Sequence, residues 1–198
     1  MVGLDRRIGQ GFLKAGIGFG GSCLPKDLDA LYYLACKNGY KPKLLDAIAR
    51  INNGQIGKIV NKIAVNIKGL KNKHIAILGV TFKPQTDDMR EAPSLVIIEK
   101  LHAAGCQIKA YDPQAFNEAK RLVGNKIELV KEPYEALIDA EALVIATEWQ
   151  EFRYPNFKVM AKLMKNKLIF DGRNIFDYKE MREQGFKYFC IGISTDSN

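Results

Sequence analysis

The sequence predicts an α/β protein in two parts, a central helical region over residues 1–69 and a doubly wound parallel sheet over 70–198. Three observations predict this. The chain up to Gly69-Leu70-Lys71-Asn72-Lys73 reads as helices punctuated by glycine. One stretch in that part, from Pro42 to about Lys68, carries apolar residues at near-helical spacing over an unusual length. Beyond the junction, short β-rich runs alternate with helical stretches, which is the pattern of a βαβ series and hence of parallel strands.

In the first part, residues 27–38 set Leu28, Leu31, Leu34 and Ala35 on one face. Asp27 is placed at the N-cap and Gly39 at the C-terminal stop. Pro42 suits the first turn of the long second helix. Its apolar positions are Leu44, Leu45, Ile48, Ile51, Ile59 and Ile63, and a kink is expected at Asn52-Asn53-Gly54. Such a helix packs on other helices or forms a homodimer interface. In the second part strands are predicted at 74–80, 107–112, 127–130, 142–147, 168–171 and 187–191, with helices at 94–104, 114–123, 133–139, 157–165 and 177–184. The whole is a central helical segment with a long helix, followed by a Rossmann-like doubly wound parallel sheet. Ligands of such sheets bind beyond the carboxyl ends of the strands. That rule marks the loops 81–93, 112–114, 147–155 and 172–176.

Composition excludes several classes. With 47% apolar residues in 198, the chain can bury a real core, so disorder is excluded. Runs such as 142–146 are far short of the roughly 18 residues of a membrane span. No basic, apolar leader opens the chain, and secretion is not expected. The cysteines at 23, 36, 106 and 190 lack C-x-x-C spacing, and His74 and His102 are the only histidines, so no metal site is expected. The same cysteines suit a reducing, cytoplasmic setting. The net charge of +8 fits an anionic ligand. Its lysines are spread out and do not interleave with aromatics, so nucleic acid is not the expected partner.

Chemistry concentrates in two places. Residues 16–27, GIGFGGSCLPKD, place four glycines in six residues ahead of Cys23. Glycine permits positive φ and close approach of a ligand to the backbone. A cysteine just before a helix start, with Lys26 beside it, is in surroundings that favour the thiolate nucleophile. Asp27 is suited to hold a water or orient a proton transfer. A flexible turn with an inert thiol is the alternative reading. GIGFGG also resembles a dinucleotide fingerprint, but the residues before it do not read as a strand, so it is rejected as a pyrophosphate cradle. The second place is the set of strand exits. Lys83 and Arg90 lie on 79–93, and Arg173 lies on 171–174. Three cations on one sheet edge predict an anion-binding rim.

The stretches 11–27, 77–94, 111–113 (YDP), 144–152 (VIATEWQEF) and 170–175 (FDGRNI) resemble the UDP-glucose 6-dehydrogenase family, within the wider nucleotide-sugar dehydrogenases, and occur in that family's order. The resemblance implies an NAD-dependent oxidation of UDP-glucose to UDP-glucuronate by two successive hydride transfers, through a thiohemiacetal and a thioester on Cys23. It implies Asp27 as the acid that assists through water. Phe12, Leu13, Lys14, Ala15 and Gly16 match the loop along the sugar nucleotide, Gly20 a backbone contact beside it, and Lys83 the substrate lysine. Arg173 matches an arginine that reaches the nucleotide in some members, and Arg7 one donated across the dimer. Lys26 and Arg90 match positions that touch NAD.

The resemblance covers the family's central and carboxyl-terminal portions only. The family's first domain, with G-x-G-x-x-G on its first strand, has no counterpart in these residues, so the chain alone is expected not to reduce NAD. SCLPKD also occurs in GDP-mannose dehydrogenases, which keeps other sugar nucleotides, including UDP-N-acetylhexosamines, as alternatives. A non-catalytic nucleotide-binding or dimerisation module is the alternative of another class.

Overall fold

A computed structural model describes residues 2–9, 11 and 13–193. Two helices come first, α1 (Leu24–Lys37) and α2 (Lys43–Asn66). The βαβ series follows: β1 (His74–Leu78), α3 (Pro93–Ala103), β2 (Gln107–Tyr111), α4 (Phe116–Val123), β3 (Glu128–Leu129), α5 (Pro133–Leu137), β4 (Ala142–Ile145), α6 (Phe157–Leu163), β5 (Leu168–Asp171), α7 (Tyr178–Glu183) and β6 (Lys187–Phe189). All strand pairs are parallel, in the order β3-β2-β1-β4-β5-β6. The order reverses between β1 and β4, and there a doubly wound sheet opens its ligand crevice.

Strand side chains alternate between two cores, as a period of two requires. Ile75 and Ile77 of β1 and Phe170 of β5 pack with Ile59 and Ile63 of α2 and Ile97, Ile98 and Leu101 of α3. Ala76, Leu78 and Ile169 face the other side, against Leu137, Met160 and Met181 of α5, α6 and α7. Both faces of the sheet are therefore covered, which is why β4 (ALVI) is apolar without alternation and buried throughout. The last turns of α2 belong to the sheet's core, because Ile59, Ile63 and Ile67 are buried there.

Three expectations about the helical region are corrected. The first helix starts at Leu24 with Cys23 as its N-cap, so Asp27 lies in the first turn and not at the cap. Pro25 explains the earlier start: its fixed φ suits the first turn, where its missing N–H is not needed. Pro42 is the N-cap of α2 and lies just outside the helix. The interruption expected at Asn52-Asn53-Gly54 does not occur, and α2 runs unbroken through these residues. Asparagine disturbs a helix when its side chain competes for the local backbone. The Asn52 amide is engaged elsewhere, as described below.

Candidate active site

The glycine-rich segment 16–21 lies across the carboxyl ends of the strands and joins the helical region to the sheet. Its own backbone makes the joint. Ile17 N–H donates to the carbonyl of Gly172 (3.1 Å), and Gly21 N–H to that of Arg90 (2.9 Å). Phe19 is gripped twice by Asn52 of α2, whose Oδ1 accepts from Phe19 N–H (2.8 Å) and whose Nδ2 donates to Phe19 C=O (3.1 Å). The glycines are needed for contact. A Cβ on Gly20 would overlap the carbonyl oxygen of Glu91. Gly18, at φ +106°, would set one 2.9 Å from Asn52 Oδ1.

Two residues past this joint stands Cys23. It is exposed, heads α1, and has Ser22 Oγ 3.7 Å from its sulfur. Lys26 and Asp27 form an exposed pair at 2.6 Å. Their mutual hydrogen bond raises the Lys26 pKa, and the nearby Cys23 adds to the effect. Arg90 forks onto Asp88 through Nε (3.0 Å) and Nη2 (2.8 Å), which holds the Asp88 carboxyl below its usual range. The same fork raises the Arg90 pKa, with a smaller contribution from Cys23. The thiol, Lys26 and Arg90 therefore share one exposed rim.

The cations expected on the strand exits differ in state. Lys83 is exposed, its ammonium 5.4 Å from the Phe82 ring centre, and it has no ion pair among the described residues. Arg173 is nearly buried. Its Nε donates to Ala146 C=O (2.8 Å) and lies 3.3 Å from Glu148, and its Nη1 donates to Gly18 C=O (3.3 Å). Burial lowers its pKa, opposed by Glu148 and Asp171. The expected rim of three available cations is thus corrected: Arg173 forms part of the joint, and Arg90 is engaged by Asp88. Leu13, Lys14 and Ala15 are exposed along the approach to the joint, and Gly16 packs against the Arg173 side chain. Phe12 lies outside the described residues. Arg7 is exposed and forks onto Asp5 at 3.0 and 2.7 Å.

Two buried acids shape these loops. Asp112 accepts at Oδ2 from Val80 N–H (2.8 Å), Thr81 N–H (3.2 Å), Thr81 Oγ1 (3.1 Å) and Trp149 Nε1 (3.2 Å). Its Oδ1 accepts from Gln114 and Ala115 N–H, both at 3.0 Å. One carboxylate thus ties together the exits of β1, β2 and β4, two residues from Lys83. Asp171 accepts from Arg173, Ile175 and Phe176 N–H and from Tyr188 Oη (2.7 Å), and so shapes the turn that carries Arg173. Neither acid, nor Asn52, was singled out from the sequence as a site residue. Asp112 stands inside the YDP stretch, and the Asn52-Asn53 pair within a long helical pattern is the available signal for Asn52.

Comparisons with known proteins agree with this geometry. Residues 76–178 match the UDP-glucose/GDP-mannose dehydrogenase family, UDP binding domain, and residues 1–54 match that family's central domain. The chain is 44% identical over 191 residues to UDP-glucose 6-dehydrogenase TuaD of Bacillus subtilis, covering 96% of this chain and 41% of that protein. The chain belongs to the UDP-glucose/GDP-mannose dehydrogenase family. Among solved structures it resembles a UDP-glucose dehydrogenase from Pyrobaculum islandicum, with TM-score 0.82, 32% identity, and 95% of this chain on 41% of that one. A UDP-D-ManNAc dehydrogenase from Pyrococcus horikoshii matches at TM-score 0.72 and 31% identity, over 89% of this chain and 39% of that one. The chain spans about two fifths of the length of these relatives.

The family's NAD can be weighed against this site. The described sheet offers no glycine cradle after β1, where GVTFKP stands. The acceptors of Asp112, which directly follows β2, are already filled. Among the described residues, this sheet therefore carries no dinucleotide cradle of the G-x-G-x-x-G type.

Proposed function

We propose that this chain is the cysteine-bearing and nucleotide-binding part of an enzyme that oxidises UDP-glucose to UDP-glucuronate, with residues 1–69 supplying the catalytic loop and the dimer helix and 70–198 the UDP-sugar domain. The observation that carries the proposal is an exposed Cys23 at the head of α1, on a glycine segment seated against the sheet edge that exposes Lys83. Lys83, a compact point charge at the crevice, suits the diphosphate. Leu13, Lys14, Ala15, Gly16 and Gly20 line the path along the sugar nucleotide, Phe12 belongs to the same stretch, and Arg173 sets the loop's position from beneath.

The C6 alcohol is first oxidised to the aldehyde. The Cys23 thiolate adds to the aldehyde carbon, giving a thiohemiacetal whose oxygen takes up a proton. A second oxidation leaves a thioester. Water attacks its carbonyl carbon, the C–S bond breaks, and the acid and the free thiol are released. Asp27, one helical turn from Cys23, orients that water. NAD, when bound, would supply the oxidant, two molecules in turn each taking one hydride. Arg7 completes the site of a homodimeric partner, and the dimer forms through α2, whose Leu44 and Ile51 are exposed. The free Cys23 and Cys36 suit a cytoplasmic setting.

The test is Cys23→Ser in an enzyme carrying this sequence together with a dinucleotide-binding domain. Turnover should fall by more than about a thousandfold, as expected for loss of a nucleophile, with UDP-glucose affinity nearly unchanged. Full turnover would exclude Cys23. Tighter binding of GDP-mannose or a UDP-N-acetylhexosamine than of UDP-glucose would reassign the substrate. This chain alone should produce no NADH from UDP-glucose.

A further inference from the structure

We infer that Asn52, in the middle of α2, is a positioning residue that sets the place of the Cys23 loop relative to the sheet. The inference rests on the reading of Cys23 as the nucleophile. It begins from an anomaly. Asparagine is a weak helix former, yet α2 carries Asn52, next to Asn53, near its midpoint and runs through it unbroken. Its side chain turns out of the helix and pairs with both backbone polar groups of Phe19, as donor at 3.1 Å and acceptor at 2.8 Å. Only a carboxamide presents a donor and an acceptor side by side in one plane, so it can replace the peptide partner that Phe19 would find in a sheet.

The surroundings are built for this grip. Gly18 stands at φ +106°, and a Cβ there would lie 2.9 Å from the Asn52 side-chain oxygen, Oδ1. On the other side, the Gly18 carbonyl accepts from Arg173 Nη1 at 3.3 Å. The segment is thus clamped between α2 and the exit of β5. Two residues further on, Gly21 N–H bonds to Arg90 C=O at 2.9 Å. Cys23 follows after Ser22. None of the α1 residues is buried, so α1 has little packing of its own to hold its first turn in place. The position of the Cys23 thiol is therefore inherited from the clamp. Asn52 touches neither thiol nor substrate. It acts through the loop, and a thiol misplaced by about 1 Å can slow chemistry by as much as about a hundredfold without weakening binding.

The test uses the same enzyme, this sequence joined to a dinucleotide-binding domain. Asn52→Ala should lower kcat by about tenfold and leave the KM for UDP-glucose within about twofold. Site-resolved alkylation should report a changed rate at Cys23 and an unchanged one at Cys36, which lies on the same helix. Asn52→Asp keeps the acceptor for Phe19 N–H, loses the donor, and should fall between the two. A folded Asn52→Ala enzyme with wild-type kcat overturns the inference. So does a parallel change at Cys23 and Cys36, which would mean general loosening. Full turnover in Cys23→Ser would instead overturn the catalytic reading, while a Cys23-specific alkylation change in Asn52→Ala would still stand.

Discussion

The two halves of α2 differ as much as any two regions of this molecule. Its first half exposes Leu44, Ile48 and Ile51. Its second half buries Ile59 and Ile63 under the sheet. The contrast continues on either side. All of α1 lacks a buried residue and shows Leu31, Tyr33 and Leu34 to solvent, whereas β4 is buried at every position. One helix thus serves as a wall of the sheet's core and as an apolar surface with no cover among the described residues. A face of that kind marks an interaction site. The glycine-rich loop before Cys23 sits where the two regimes meet, held by the sheet from one side and by Asn52 from the other.

The comparison can be broken first at its most buried point. Phe170 is fully buried and stacks on Phe189 with ring centres 4.9 Å apart. Phe170→Ala should cost about 3–5 kcal/mol in denaturant unfolding. Leu34→Ala, on an apolar residue of similar size in α1, should change stability by less than about 0.5 kcal/mol. Equal losses would mean that the helical region is packed as tightly as the sheet.

A smaller effect tests the far edge of the sheet. Glu141 precedes β4 with its side chain 7% exposed, accepts from Lys165 (2.8 Å) and Lys73 (3.3 Å), and is met by Asn166 Nδ2. Lys165, aided by Lys73, holds its pKa below the ordinary 4.5. A depressed acid stabilises the fold above its unfolded pKa, and that stability is lost as pH falls through the folded value. Glu141→Gln should therefore cost about 1–2 kcal/mol at neutral pH, and the gap should close in the acid range below the ordinary value. A gap that widens there would reverse the sign.

The smallest expected change in stability comes from Ile51→Lys, within about 0.5 kcal/mol because Ile51 is exposed. Its effect should appear in sedimentation equilibrium instead, as loss of the proposed dimer. An unchanged dimer would place the contact away from this face of α2.

Much of this was legible in the residues because the signals are local. Strands such as HIAIL and ALVI and the helices between them depend on short-range pattern, and six parallel strands follow from their alternation with helices. Cys23 beside glycines, with Lys26 and Asp27 one turn on, was legible for the same reason. Residue type also marked Arg173 as a cation on a strand exit. What it could not reveal is that the guanidinium folds back onto Ala146 and Gly18, because the state of a charge depends on what surrounds it.

The sequence by itself determined the α/β architecture, the alternation of the sheet and the presence of a thiol at a helix start, since each follows from periodicity and nearest neighbours. Only the tertiary structure decided which polar groups face ligand and which face protein. Asn52 reaches 33 residues back to Phe19, and Asp112 gathers donors from three strand exits. A hydrogen bond is satisfied by whatever atom lies within about 3 Å. Residues far apart in the chain come within that range only after the sheet and α2 have packed.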